Sequence, residues 1–221
     1  MQRLFLAALA LLVALTGCSS AALEERADTA PATETSQPAE ASAPPTTSEL
    51  SGDPDEPATF QVIGDRAYMV GFIDGSTPDA VEDLLDEHPG VTTIVLAIVP
   101  GSDDDEANLE AARMVREAGL ATHVPADGEI ASGGVDFFLA GATRTFDDGA
   151  RFGVHSWGTG EPGFNATDLD EDDPEHDRYL DYYDELGVDE DFYWFTIEAA
   201  PPEDIHWMTL AELAEFGFRT S

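Results

Sequence analysis

The amino-acid sequence predicts an α/β domain whose sheet is mostly parallel and which carries extra C-terminal helices. The segment Val91–Val99, VTTIVLAIV, is a continuous run of β-branched and aliphatic residues, typical of a strand buried on both faces. Strand-like segments alternate with helical patterns between residues 66 and 157, which indicates parallel strands joined by helices. Residues 174–199 are rich in aromatic residues and are predicted to be helical.

The first elements of the domain are two strands and a helix. β-Forming residues over Thr59–Ile63 and Arg66–Ile73 predict the strands, and Gly64-Asp65 predicts the turn between them. A helix is expected over residues 76–88, because hydroxyl-bearing caps and a proline stand at its start and a Pro-Gly pair follows it.

The central part of the chain continues this alternation. Residues 100–102, PGS, break the long strand, and Asp103–Ala118 is predicted to be a helix with acidic residues in its first turn. Leu120–Val124 and Arg151–His155 are predicted strands. Between them, an apolar helix is predicted to begin at Ser132.

The remaining segments are a loop and the C-terminal helices. Residues 125–130 are predicted to form a loop, and Pro201-Pro202 ends the helical region before a last short helix over 209–216. The aromatic residues of the helical region are predicted to form a packing core, with the wall of a substrate groove as the alternative. They are Tyr179, Tyr182, Tyr183, Phe192, Tyr193, Trp194 and Phe195, and Trp157 is a further candidate for that wall.

The N-terminal part of the chain is expected to lie outside this domain. Arg3 precedes the apolar run Leu4–Leu15, which is too short for a permanent membrane span and suits a signal peptide. Leu15-Thr16-Gly17-Cys18 resembles the bacterial lipobox, a signal in which the cysteine is lipidated and becomes the new N-terminus. An ordinary secretory signal cleaved elsewhere is the alternative.

These features predict three regions. Residues 1–17 are the lipoprotein signal peptide, and residues 18–58, rich in Ala, Pro, Ser, Thr and Glu, are a flexible tether. Residues 59–221 are the folded domain. The expected location is the cell envelope, with the protein lipid-anchored and facing the periplasm or the exterior. Because Cys18 is the single cysteine, the domain has neither a disulfide nor a thiol nucleophile.

The chain is strongly acidic, with a formal net charge of -37 and no lysine. From residue 59 onward, 37 acidic residues stand against 7 arginines. Such a surface repels nucleic acid and anionic lipid head groups. We hypothesise a salt-adapted organism, with a generic acidic secreted protein as the alternative. The hypothesis fails if the melting temperature does not rise between low and molar NaCl.

Three segments at strand ends or helix starts are candidates for chemistry: residues 99–102, 131–134 and 153–157. Ser132 opens an apolar helix, where the helix dipole and free N–H groups stabilise negative charge. Gly133 follows it and allows close approach of a developing oxyanion. A serine nucleophile needs a base, and His155 at the end of a strand is the best-placed histidine. For Ser132 alone, a helix-capping role is the alternative.

Two of these segments resemble a known family. ASGGVDFFLAGATR (131–144) followed by GARFGVHSW (149–157) is similar to the proteolytic subunit of Clp protease and its relatives in the Clp/crotonase superfamily. Residues 110–126 resemble that family's following helix and strand, and 206–218 the region near its acid. The resemblance implies stacked β-β-α units and a serine-histidine-acid site.

Carried over by position, the resemblance assigns most of that site. Ser132 would be the nucleophile and His155 its base, while the amides of Gly101 and Gly133 would form the oxyanion hole. The loop at Gly101 has one glycine where Clp proteases have two.

The acid of the site is left open. Asp204 lies nearest to the family's position but is one residue out of register, so Glu203 and Asp136 remain alternatives. A triad acid orients the histidine and stabilises its charged form.

These observations predict an exported serine hydrolase, peptidase-like, that cleaves a peptide or ester bond. The alternative is a catalytically inactive envelope lipoprotein that uses the fold as a binding or assembly module. An α/β-hydrolase is disfavoured because no G-x-S-x-G surrounds Ser132. Clp proteases form rings, so a homo-oligomer is left open.

No cofactor or metal is expected. Basic residues positioned for the phosphates of coenzyme A are missing from the sequence, although crotonases bind that cofactor. The acidic runs Asp103–Glu106 and Asp168–Asp177 lack the spacing of a calcium loop and are interpreted as solvated charge. Zinc binding at His176 or His206 is disfavoured because no HExxH motif occurs.

Overall fold

The computed structural model describes residues 43–159 and 163–220. Cys18 and the predicted signal peptide lie outside the described residues. Within the described part of the chain, none of the helices has the length and apolar character needed to cross a membrane.

The described residues form a mixed α/β fold. Its strands are β1 Thr59–Ile63, β2 Arg66–Val70, β3 Thr93–Val99, β4 Ala121–Val124, β5 Glu129–Ala131, β6 Arg144–Phe146, β7 Arg151–Val154 and β8 His206–Trp207. Its α-helices are α1 Thr77–Glu87, α2 Asp105–Glu117, α3 Gly133–Leu139, α4 Asp177–Leu186, α5 Glu190–Ala199 and α6 Leu210–Glu215.

The sheet branches at β3. Strand β2 pairs parallel with β3 and antiparallel with β1. Residues 93–95 of β3 pair with β4, whereas Ile98 and Val99 pair with β5. Strand β4 then pairs with β6 and β5 with β7, all in parallel. The unit β4-β5-α3 is therefore stacked on the strand pair β6-β7. The predicted α/β class, with stacked β-β-α units and C-terminal helices, is confirmed.

The core lies on both faces of β3. Ile94, Val95, Leu96 and Ala97 are each at most 1% exposed, although their side chains alternate between the two faces. The prediction of a strand buried on both faces is therefore confirmed.

The folded unit begins earlier than predicted. The predicted tether was residues 18–58, of which residues 18–42 lie outside the described residues. The last part of residues 43–58 pairs with the chain after β2. The Ala58 amide donates to the Phe72 carbonyl at 2.7 Å, and the Phe72 amide donates to the Glu56 carbonyl at 3.0 Å. Backbone pairing of this kind needs no apolar side chains, so composition does not reveal it.

Several local elements differ from the sequence-based expectation. The predicted loop 125–130 includes the start of β5, and β8 was not predicted; strands of two or three residues are too short to show a periodicity. The helical region 174–199 is two helices, because Gly187 ends α4 in the left-handed conformation with φ +69°.

Candidate active site

The predicted site residues follow the ends of three neighbouring parallel strands. Val99 of β3 pairs with Ile130 of β5, and Ala131 of β5 pairs with Gly153 of β7. Parallel strands end at the same edge of a sheet, so the residues after them converge. The structure thus brings the segments that carry Gly101, Ser132 and His155 to one edge.

Ser132 has an unusual backbone conformation. Its φ of +51° and ψ of -127° make it the one non-glycine residue with positive φ in the described part of the chain. Its amide donates to the Gly153 carbonyl at 2.9 Å, and its hydroxyl makes no capping hydrogen bond to α3. Such a conformation costs about 1–3 kcal/mol and clusters at functional sites. The helix-capping alternative for this hydroxyl therefore finds no support in the geometry.

Two glycine amides flank Ser132. A methyl group at Gly101, where φ is +151°, would lie 3.3 Å from Ser132 Cβ. A methyl group at Gly133 would collide with the Ser102 hydroxyl and approach Asn108 Nδ2 to 2.8 Å. Within residues 43–159 and 163–220, neither glycine N–H donates a backbone hydrogen bond outside regular elements. Neither amide is thus engaged by such a backbone acceptor, although Gly133 is buried.

His155 is partly buried at the end of β7. Burial lowers its pKa below the ordinary value, and a backbone contact with Ser156 and the charge of Asp105 offset part of this effect. Its Nδ1 is buried without a hydrogen-bond partner among the described residues. The ring is thus neutral near pH 7, but no carboxylate orients it through Nδ1.

The predicted acids do not reach the histidine through a hydrogen bond. Asp204 and Glu203 are exposed, and Asp204 Oδ1 accepts a hydrogen bond from the Ile205 amide at 2.8 Å. The third alternative, Asp136, accepts a hydrogen bond from the Tyr183 hydroxyl at 2.6 Å instead. The role of Asp204 as triad acid stays a prediction.

Ser132 and His155 lie between two pockets. The first, the acid-tyrosine pocket, is a narrow cavity of about 40 Å³, and its lining comprises Asp105, Ser132, Val135, Asp136, Val154, His155, Trp157, Tyr179, Tyr183, Tyr193 and Thr196. The second, the open groove, is lined by Pro54, Asp55, Phe72, Pro100, Gly101, Ser102, Asp103, Ser132 and His155. A substrate bound across Ser132 can therefore contact both sides.

Two carboxylates lie in the acid-tyrosine pocket. Asp105 accepts hydrogen bonds from the Ser102 hydroxyl and, at 2.5 Å, from the Tyr179 hydroxyl. Asp136 is bound by Tyr183. Burial raises the pKa of Asp136 to about 7, the Tyr183 hydrogen bond lowers it, and the charge of Asp105 raises it further. Asp136 keeps partial exposure because it faces the pocket.

Aromatic rings form the opposite wall. The Tyr179 ring stacks on Tyr193 at 5.6 Å between centroids and on Trp157 at 5.9 Å. The Tyr193 hydroxyl accepts a hydrogen bond from Trp157 Nε1 at 2.9 Å and pairs with His176 Nδ1 at 2.5 Å. The aromatic cluster is therefore both a packing core and a pocket wall, which combines the two alternatives.

Sequence reasoning missed Asp105 and the placement of Asp136 beside it. Asp105 belongs to a run that was interpreted as solvated charge, but only its neighbours Asp103, Asp104 and Glu106 are exposed. The signal available was its position as the first residue of α2 after the cap, three residues beyond Ser102. Among the residues described, no group of three or more potential metal ligands is assembled.

Comparisons with known proteins give structural likenesses alone. No protein-family model matches the chain, and no curated protein sequence matches it significantly. A mutant of the 1510-N membrane-bound stomatin-specific protease is 16% identical with a TM-score of 0.48, over 70% of this chain and 75% of that one. Pseudomonas aeruginosa PA4980 is 16% identical with a TM-score of 0.45, over 73% and 75%. Methylmalonyl CoA decarboxylase is 12% identical with a TM-score of 0.33, over 48% and 51%.

Proposed function

We propose that this protein is a serine hydrolase, peptidase-like, with Ser132 as the nucleophile and His155 as its general base. The observation that carries the proposal is the strained backbone of Ser132, which stands between the Gly101 and Gly133 amides and shares both pockets with His155. A strained serine at the start of a buried helix, next to a neutral histidine, fits an activated nucleophile.

The reaction follows from this arrangement. The Ser132 hydroxyl attacks the carbonyl carbon of a peptide or ester while His155 takes the hydroxyl proton. The carbonyl oxygen becomes an oxyanion that accepts hydrogen bonds from the two glycine amides. His155 then gives the proton to the leaving amine or alcohol, and water hydrolyses the acyl-enzyme by the same proton path.

A binding or assembly module is the second candidate function. The observation that favours it is the unpartnered Nδ1 of His155, together with the lack of a hydrogen bond between the His155 ring and the Ser132 hydroxyl among the described residues. A histidine without an orienting acid is a weaker base than one in a complete triad.

The experiment that separates these functions is labelling of the full chain with a fluorophosphonate probe, at low salt and in molar NaCl. We expect Ser132 to be labelled, and Ser132→Ala and His155→Ala to abolish labelling. Ser51→Ala, which changes an exposed serine outside both pockets, serves as the control. A folded chain that stays unlabelled in both salts supports the binding module.

We further propose that Cys18 carries a lipid and holds the protein at the cell envelope. The support is the lipobox-like sequence before it and the apolar run Leu4–Leu15. Cys18→Ser should move the protein from the membrane fraction to the soluble fraction, while Ser19→Ala should not. Membrane retention of Cys18→Ser would contradict the proposal.

A further inference from the structure

The acid-tyrosine pocket holds two carboxylates that lack a countercharge. Asp105 and Asp136 both line it, and among the described residues neither forms a salt bridge. Arg178 pairs with Glu175 and lies over the Trp157 and Tyr179 rings, 6.0 Å and 5.6 Å from their centroids, but it is not among the residues that line the pocket. Carboxylates in a low-dielectric pocket are stable when a proton or a cation neutralises them.

The aromatic wall of the pocket also suits a cation. Tyr179, Tyr183, Tyr193 and Trp157 all line the pocket. Aromatic rings attract cations through their electron-rich faces, and the contact of Arg178 with Trp157 and Tyr179 shows that this wall already accepts one. Two hydroxyls, of Tyr179 and Tyr183, already donate to the carboxylates and fix the orientation of these groups.

Other occupants fit the pocket less well. An apolar side chain would leave two carboxylates desolvated and unpaired, and an acidic side chain would be repelled by both. A metal ion would need a fuller ligand set than the described residues assemble. A cationic side chain satisfies the carboxylates and the rings together.

Resting on the proposed function, we propose that the acid-tyrosine pocket is the specificity pocket of the enzyme and binds a basic side chain of lysine type next to the bond that is cleaved. The pocket adjoins Ser132 and His155, so a side chain bound there places its own carbonyl near the nucleophile. The substrate class is thus a peptide or ester with a basic residue on the acyl side of the scissile bond.

The test measures binding in the full-chain Ser132→Ala variant, so that catalysis plays no part. Nα-Acetyl-lysine methylamide and Nα-acetyl-norleucine methylamide, which has a neutral side chain of similar length, are titrated by calorimetry and Trp fluorescence. Molar NaCl screens the acidic surface to within about 3 Å. We expect the lysine compound to bind at least tenfold more tightly under these conditions.

Substitutions in the pocket test whether the carboxylate charges cause the preference for the lysine compound. Asp136→Asn and Asp105→Asn should each reduce the preference at least fivefold, since the amide keeps the shape and the acceptor oxygen but not the charge. Asp184→Asn, at an exposed acid of α4, is the matched control and should change nothing. If Asp105→Asn fails to fold, Asp136→Asn alone decides.

Equal affinity for the lysine and norleucine compounds, or a preference that survives both pocket substitutions, overturns the proposal. Because the assay uses Ser132→Ala, this outcome is independent of fluorophosphonate labelling. Labelling of Ser132 without a preference for the lysine compound would contradict the specificity pocket and support the hydrolase. A preference for the lysine compound without labelling of Ser132 would support the cation-binding pocket and contradict the hydrolase.

Discussion

The two sides of Ser132 are built in different ways. On one side, the backbone amides of Gly101 and Gly133 lie at the ends of β3 and β5, where pairing within the sheet holds them. On the other side, the acid-tyrosine pocket consists of side chains, and its tyrosines come from α4 and α5, at least 40 residues further along the chain.

In the proposed hydrolase, this difference separates chemistry from selectivity. Stabilisation of an oxyanion needs only amide N–H groups, which any sequence supplies once small residues permit the geometry. Selection of a substrate needs particular side chains, and the tyrosines among them belong to a region that the sequence resemblance does not cover, whereas Asp136 lies within it. We therefore expect changes on the backbone side to reduce all hydrolysis, and changes in the pocket to alter which substrate is preferred.

The largest expected effect is on the nucleophile and base. Ser132→Ala and His155→Ala should each lower kcat/KM for an Nα-acetyl-lysine ester by about 10⁴-fold, because each removes a group that acts in the transition state. Circular dichroism should show that both variants keep their fold. Loss of activity in one variant only would show that the two residues do not act as a unit.

A smaller loss is expected on the backbone side. Gly133→Ala places a methyl group against Ser102 and Asn108, so the start of α3 must shift and move the oxyanion donor. The loss of one such donor costs about 10²–10³-fold in kcat. Gly90→Ala is the matched control, because a methyl group there meets nothing within 4 Å.

Gly133→Ala should lower the hydrolysis rates of the lysine and norleucine esters by the same factor. If Gly133→Ala changed the ratio of lysine to norleucine hydrolysis instead of lowering both rates, the backbone side would contribute to selectivity. The proposed separation of chemistry from selectivity would then be wrong.

The same contrast explains how much the sequence predicts. The burial of β3, the end of β7 and the helix start at Ser132 follow from local patterns, because consecutive apolar residues and strand-ending turns are visible within about ten residues, whereas β5 was missed. Ser132 was predicted at a helix start and His155 at a strand end for that reason, and the structure brings their segments to one edge.

The pocket could not be predicted in the same way. Asp105 and Tyr179 are 74 residues apart, and their hydrogen bond depends on how α4 packs against α2. No periodicity within either helix carries that information. The pairing of Glu56 and Ala58 with the chain after β2 was missed for a related reason, because it involves only backbone groups.

The pH dependence of hydrolysis distinguishes the titration of the base His155 from that of the pocket carboxyl Asp136. The pKa of His155 is lowered by burial, with Asp105 as the charged group that faces it, so its basic form predominates above pH 6.5. Norleucine-ester hydrolysis should therefore reach half its maximal kcat/KM below pH 6.5. The carboxyl of Asp136, which faces Tyr183 and Asp105, has a pKa of about 7 and loses its proton above that pH.

The lysine ester should consequently show a second rise. Its kcat/KM relative to the norleucine ester should increase by about tenfold between pH 5 and pH 8, because deprotonation of Asp136 adds a negative charge beside the ammonium group. This second rise should be absent in Asp136→Asn. A constant ratio across the pH range would contradict the role of the Asp136 charge.

The smallest expected effect is on stability. The pKa of Asp136 is about 7 in the folded protein and near 4 when unfolded, so the folded state binds more protons between these values and stability falls as pH rises through this window. Solvent reaches the carboxyl through the pocket, which limits the cost to about 1 kcal/mol above pH 7.

Asp136→Asn removes this cost while it keeps an acceptor for the Tyr183 hydroxyl. Its melting temperature should exceed that of the natural protein by about 2–4 °C at pH 8 and should match it near pH 4. Asp184→Asn, on the exposed side of α4, should show no such pH dependence. A variant that gains stability while it loses lysine preference would indicate that the pocket carboxylate is retained for binding, because its charge destabilises the unliganded fold.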